Sequence, residues 1–261
     1  MIVIKNEDDI KAMREAGAVA NTILREVAAF VQPGKTTKEL DDFAAERIAF
    51  YGCKSAFLGY RNYPCNICIS VNEEVVHGIA SLRALLFGDI VSLDVGVCYS
   101  GFVGDNALTA AVGGCGVEDQ KLLDVTEKSL FEGISKAVVG NRVCDISRAV
   151  QGCVEGNGMS VVREFVGHGV GRSVHEEPQI PNFFDGGKSP KLKAGMTLAI
   201  EPMVNLGSAQ VEVLSDGWTV LTRDGRRSAH FEHTILVTDG EPKLLTCPEN
   251  MPSALKARLS S

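Results

Sequence analysis

The sequence predicts an α/β (α+β) fold in which two similar halves, each with helices feeding into strands, share one central site. Three observations predict it. Helical periodicity opens the chain, a helical pattern of the first half returns in the second, and residues 89–113 read as a β-hairpin.

Taken in order, Ile10, Met13, Ala16, Ala20, Ile23 and Val27 recur at helical spacing until Gln32-Pro33-Gly34 stops the pattern. Thr36 followed by Glu39 spells a capping box, so a second helix starts there and runs toward Gly52. Its stretch VQPGKTTKELDDFAAERIAFYG resembles VVGNRVCDISRAVQGCVEGNG. Leu40 matches Ile146, Ile48 matches Val154 and Gly52 matches Gly158, an offset of 106 residues. The halves are expected at about 1–115 and 116–261, forming a single domain.

Composition narrows the function. A chain of 261 residues with 45% hydrophobic and 23% charged residues lies in the globular range and can bury a sizeable core. Lys and Arg number 26 against 33 Asp and Glu, for a formal net charge of -7. No basic run could track a phosphate backbone, which argues against nucleic acid. The opening MIVIKNEDDIKAMREAG turns acidic after four residues, unlike a secretory signal, and no window is apolar enough to span a bilayer. A cytoplasmic protein without membrane partners is expected. The eight cysteines are scattered and read mostly as small buried hydrophobes. Cys65 and Cys68 form one C-x-x-C, but no second pair completes a zinc site, and CNICISV reads as a strand rather than the helix start of a redox motif.

The hairpin is the strongest local reading. With Ser100-Gly101 as its loop, Tyr99 faces Phe102 and Asp94 faces Ala107, so Asp105 becomes a diagonal neighbour of Asp94 on the same face, roughly 7–8 Å away. A turn shifted by one residue would separate them. Two half-buried carboxylates this close repel, and need a cation or a shared proton. TLAIEPMV places Glu201 inside an apolar strand before Pro202, and SAHFEHTILV places Glu232 inside another. Glutamate is almost never buried without a partner. Four strand carboxylates plus His168, in the glycine-rich GHGVGRSVHEEP, supply five ligands for a pair of divalent ions. His77 and His175 lie in glycine-bearing turns that can present a side chain to a site, whereas His230 and His233 are read as satisfied structural residues.

The ordered set His77, Asp94, Asp105, GHGVGRSVHEEP, IEP and FEHT resembles the type I methionine aminopeptidases, with matching spacing from the first helix to about residue 240. The resemblance implies the pita-bread fold: pseudo-twofold, with a curved antiparallel sheet and helices outside. It implies a single catalytic domain that removes the N-terminal methionine from peptides and nascent chains when the second residue is small. Asp94 would chelate one of two metals, Asp105 and Glu232 would bridge both, and His168 and Glu201 would complete the other site. The ions would supply hydroxide near neutral pH and polarise the scissile carbonyl. Glu201 would be the general base, His175 would meet the developing oxyanion, and His77 would contact the amide on the leaving side. Cobalt, manganese, iron and zinc all suit such ligands.

By the same resemblance Tyr60, Tyr63, Cys68 and Trp218 line the methionine pocket. Phe57 stands where many bacterial relatives have cysteine, and Val174 where they have phenylalanine. A large and a small wall residue have traded places, which preserves volume. Proline-specific relatives usually carry an extra N-terminal domain, for which there is no room before a helix starting by about residue 8. Type II relatives carry a helical insert that the 33-residue step from His168 to Glu201 does not accommodate. The chain is expected to work as a monomer, with the ribosome as a candidate docking partner. In some relatives a monovalent ion lies near the positions of Asn72 and Ser228.

Overall fold

The protein is described by a computed structural model covering residues 1–184, 186–252 and 255. Helix α1, Glu7–Phe30, begins at a second capping box, in which the Asn6 side chain accepts from the Asp9 amide at 2.9 Å and Asp9 accepts from the Asn6 amide. Its predicted apolar row from Met13 to Val27 is buried, with Ile10 partly so. Helix α2, Thr37–Phe50, opens on the predicted box. The Thr36 amide donates to Glu39 at 2.8 Å and the Glu39 amide donates to Thr36 Oγ1 at 3.1 Å, and losing such a cap costs about 1 kcal/mol. Helices α3, Val117–Ser135, and α4, Val143–Glu155, follow the hairpin. The matched residues Leu40 and Ile146, and Ile48 and Val154, are buried in α2 and α4 alike.

The hairpin strands Ile90–Tyr99 and Phe102–Ala111 pair without interruption from Ile90 opposite Ala111 to Tyr99 opposite Phe102. Ser100 and Gly101 have φ of 51° and 80°, the left-handed pair that a two-residue turn of matching twist requires. Asp94 therefore faces Ala107, and Asp105 faces Gly96, in the predicted register.

This hairpin is the backbone of a nine-stranded antiparallel sheet. The ladder continues from Ala107 to Glu232, and from Thr234 through Ala199 to His168. Directly paired residues share a face, as do residues two apart on one strand. Asp94, Asp105, Glu232 and His168 consequently project to one side, and Glu201, two residues beyond Ala199, follows them. The alternate residues face the helices. Leu93 and Val95 pack with Val19, Ile23 and Leu40, while Leu198, Ile200 and Ile235 pack with Leu130, Ile146 and Val150.

Glu201 departs from the expected position. It lies not inside a strand but in the break between Thr197–Ile200, in the large sheet, and Met203–Asn205, in a three-stranded sheet with Ser228–His230 and Ser160–Val161. Pro202 lacks the N–H that would continue the ladder. The neighbouring chain breaks alongside: Ser228–His230 belongs to the small sheet, and Glu232 opens the strand Glu232–Leu236 of the large one. Both glutamates stand where two adjacent chains cross between sheets.

The layers are close. A Cβ on Gly104 would lie 2.3 Å from the Ala16 carbonyl oxygen of α1, and one on Gly96, on the other face, 2.5 Å from the Phe57 ring. Asn21 of α1 donates to Asn106 at 3.0 Å, and Asn106 donates on to the Val95 carbonyl at 3.1 Å, a buried chain that pins helix to hairpin behind the aspartates. Among the described residues no helix is long and apolar enough to cross a membrane.

Candidate metal centre

The shared face of the sheet is the floor of a cleft of about 560 Å³. His168 is buried, with Nε2 3.3 Å from Glu201 Oε1 and 3.8 Å from Asp105 Oδ2. One ligand atom from each of Asp105, His168 and Glu232 falls within 4.8 Å of the others. Asp94 completes the floor opposite Cys68, the first residue of strand Cys68–Val71.

These groups do not satisfy one another. Asp94 Oδ1, Asp105 Oδ1 and Glu232 Oε1 are buried without a hydrogen-bond partner. Burial lifts every one of the four carboxyls. Asp105 is pushed up to about 7, while Asp94, Glu201 and Glu232 rise well above the usual carboxylate range, with the Asp105 charge adding to the effect of burial in each. His168 is driven down to about 3 by burial and then by the neighbouring His175. Its Nδ1 lies 2.9 Å from the Gly169 carbonyl oxygen. A carbonyl only accepts, so Nδ1 carries the proton and Nε2 turns a lone pair toward two carboxylates. Lone pair against carboxylate is unfavourable until a cation or a proton stands between them. The donor set, carboxylate oxygens and one imidazole nitrogen oriented through its other ring atom, fits divalent transition metals.

The walls are aromatic. Tyr60, Tyr63, Phe57, Cys68 and Trp218 all line the cleft. Tyr63 donates its hydroxyl to the Gly78 carbonyl at 2.7 Å and meets Trp218 edge-on at 5.0 Å. Val174 is buried in the same apolar cluster as Phe57 without lining the cavity. His175 is solvent-exposed, 4.4 Å ring to ring from His168, with Nδ1 2.9 Å from the Tyr60 hydroxyl. His77, held at φ 60°, packs edge-on against Phe165 and Trp218, and burial followed by the His175 charge lowers it to about 4. Cys65 and Cys68 are both buried free thiols, and Cys68 alone of the two lines the cleft. Asn72 uses its backbone oxygen for Ser228 and its side chain for Ile90 and Asp89.

Three lining residues, Arg61, Phe165 and Gln179, carry no periodicity or pairing that marks them in the sequence. His230 is different. His233 is satisfied by Thr246 at 2.8 Å, as a structural histidine should be, but the Nε2 of His230 is buried without a partner, 3.8 Å from Glu201 Oε2. Its spacing of two from Glu232 was the available signal.

A buried, unneutralised acidic cluster with one lone-pair imidazole, floored by a sheet and opening into an aromatic cleft, defines a metal-dependent hydrolase. Comparison with known proteins agrees. The description of metallopeptidase family M24 matches residues 11–239. A methionine aminopeptidase of Clostridium perfringens is 51% identical over 246 residues, covering 94% of this chain and 99% of its own. One from Escherichia coli is 43% identical over 247 residues, 94% of each chain. The crystal structure of a methionine aminopeptidase from Thermotoga maritima superposes with a TM-score of 0.92 at 45% identity, covering 94% of this chain and 99% of that one. A prolidase from Pyrococcus furiosus shares the fold, with a TM-score of 0.78 at 21% identity over 94% of this chain and 65% of its own. The chain belongs to metallopeptidase family M24, and its architecture is the expected pita-bread fold.

Proposed function

We propose that the floor holds two divalent ions through Asp94, Asp105, His168, Glu201 and Glu232, and that the aromatic walls hold the methionine side chain. The chain removes N-terminal methionine from peptides and nascent proteins whose second residue is small. The observation that carries the metal reading is the His168 Nδ1–H donated to Gly169, which leaves Nε2 free beside orphaned carboxylate oxygens, with one ligand atom each from Asp105, His168 and Glu232 within 4.8 Å of the others. When bound, the ions supply Lewis acidity and a water acidic enough to ionise near neutral pH.

The chain's own residues do the rest. Glu201 takes the proton of the attacking water and passes it to the leaving amine. With Tyr60 donating to Nδ1 of His175, the His175 proton lies on Nε2, ready to be donated to the carbonyl oxygen as charge develops there. His77 contacts the scissile amide on the leaving side. The free amino group lies at the Asp94 end, so only an end residue fits. Phe57, Tyr60, Tyr63, Cys68 and Trp218 enclose the methionine side chain, with Val174 in the same apolar cluster as Phe57.

We read 1–261 as one catalytic domain of two similar halves, about 1–115 and 116–261, since α1–α2 and α3–α4 each back the sheet with a core of their own. A monomer in the cytoplasm is the working form, with the ribosome as a docking partner.

The deciding experiment uses a Met-Ala-Ser peptide. Chelated enzyme should release no methionine, and cobalt(II) or manganese(II) should restore release with two ions bound per chain. Full activity in chelated, metal-analysed protein would sink the reading.

A further inference from the structure

His230 adjoins the floor of the cleft, outside its lining, and is 2% exposed. Its backbone is fixed on both sides by one residue: the His230 amide donates to Thr109 Oγ1, and Thr109 Oγ1 donates to the His230 carbonyl, both at 2.9 Å. Ser92 and Thr109 share a further hydroxyl contact at 2.8 Å. Thr109 thus takes over the ladder at the point where the chain passes from Ser228–His230 into the large sheet, and it places the imidazole beside Glu201. Glu201 is divided between two imidazoles. Oε1 faces His168 Nε2 at 3.3 Å, and Oε2 faces His230 Nε2 at 3.8 Å. Among the described residues neither His230 Nε2 nor any group near it supplies the missing partner.

A buried imidazole nitrogen left unpaired is unfavourable, and folds keep such groups where another state satisfies them. Metal binding supplies that state. An ionised Glu201 that turns Oε1 to the cluster has in Oε2 an acceptor that faces His230 Nε2. A shift of about 0.8 Å brings Oε2 and Nε2 to hydrogen-bond distance. We propose that His230 is the positioning residue of Glu201: its Nε2–H holds Oε2, so that Oε1 stays on the cluster and the carboxylate keeps one orientation through the reaction. The inference rests on Glu201 belonging to the metal cluster, as proposed above. Groups that orient a ligand in this way change metal affinity or activity by roughly 10–100-fold when removed.

The test compares His230→Phe, a ring without the donor, with His230→Gln, which keeps one. Cobalt(II) alone is titrated into chelated protein and followed by visible absorption and calorimetry, and steady-state kinetics are measured on Met-Ala-Ser. His230→Phe should bind cobalt at least tenfold more weakly and lose kcat by at least tenfold with KM within twofold, while His230→Gln recovers most of both. The melting temperature of chelated His230→Phe should not fall below that of the parent, because an unpaired polar group has been removed. A merely structural histidine would show the opposite. Should the phenylalanine variant not fold, His230→Leu takes its place in every arm. Cobalt affinity equal to the parent's in the donor-free variant, or equal losses with glutamine and with phenylalanine, would overturn the inference. Absence of peptidase activity in the parent overturns the proposed function instead and leaves the cobalt titration interpretable.

Discussion

The floor and the walls of the cleft are built on opposite principles. The floor is made by ladder pairing: Asp94, Asp105, Glu232 and His168 share a face because their strands are in register. It leaves carboxylate oxygens buried and unpaired. The walls come mostly from the segment Phe57 to Tyr63 and around Trp218, and the tyrosine hydroxyls are paired, Tyr63 with Gly78 and Tyr60 with His175. Charge is held mostly on the paired ladder, with Glu201 at its break, and shape mostly on the segments that connect the strands. The floor thereby fixes which reaction is possible and the walls fix which side chain enters.

That division can be broken or sharpened by experiment. The largest effects belong to the floor. Glu201→Gln and His168→Ala should each lower kcat by roughly 10²–10⁴-fold, with His168→Ala also losing metal; near-normal turnover of metal-analysed His168→Ala protein would show that the floor is not the reaction centre. His175→Ala, on the rim between floor and wall, should cost roughly 10²–10³-fold in kcat, the usual effect of removing one oxyanion donor, with metal content unchanged. Loss of metal at an unchanged rate would move His175 into the floor.

The third effect is on stability. In chelated protein Asp105 titrates at about 7 and the other three carboxyls well above their usual range, against about 4 when unfolded. The folded chain then holds more protons than the unfolded one, so the contribution of these groups is present at low pH and is lost as pH rises through the folded values. Histidines act in the opposite sense. His168, His230 and His77, lowered by burial to about 3, 3 and 4, penalise folding only below about 6.5. From pH 6.5 upward the histidine penalty is gone, and the melting temperature of chelated protein should fall. Glu232→Gln should flatten that slope, and a rising melting temperature in the parent would contradict the burial of charge in the floor.

The smallest effect belongs to the walls. Phe57 lies against Gly96, and Val174 is buried in the same apolar cluster; a trade of a large and a small residue can conserve volume. Met peptides should be cleaved at least tenfold faster than Leu or Phe peptides, norleucine should fall between, and Val174→Phe should change kcat/KM for Met by less than about 30-fold, since one displaced methylene is worth roughly 1–3 kcal/mol. Equal cleavage of Met and Leu peptides would mean that the trade opened the pocket.

The floor was also the legible part. Ser100-Gly101 sets the hairpin register, and the register alone puts Asp94 beside Asp105. Glu201 and Glu232 stood out because glutamate in an apolar run needs a partner, yet the strand breaks beside them were not visible. Pro202 marked an interruption without telling that two neighbouring chains cross sheets together, which is a property of pairing. Wall residues such as Tyr60 and Trp218 came only through family resemblance, because loops carry no period to read. His230 reads as structural in the sequence, although its spacing of two from Glu232 hints at the same cluster. What the sequence lacks is the Thr109 contact that holds His230 beside Glu201.

Gly96 and Gly104 bear on how tolerance to substitution should be interpreted. Neither has chemistry, and neither needs a left-handed backbone, yet a single methyl group at either would collide with an aromatic ring or a helix carbonyl. A saturation library scored for growth should rank both positions beside the metal-binding carboxylates. In this molecule intolerance alone therefore does not distinguish a residue that reacts from one that only keeps two layers a hydrogen atom apart, and any map of essential positions needs a measurement of folded protein alongside it.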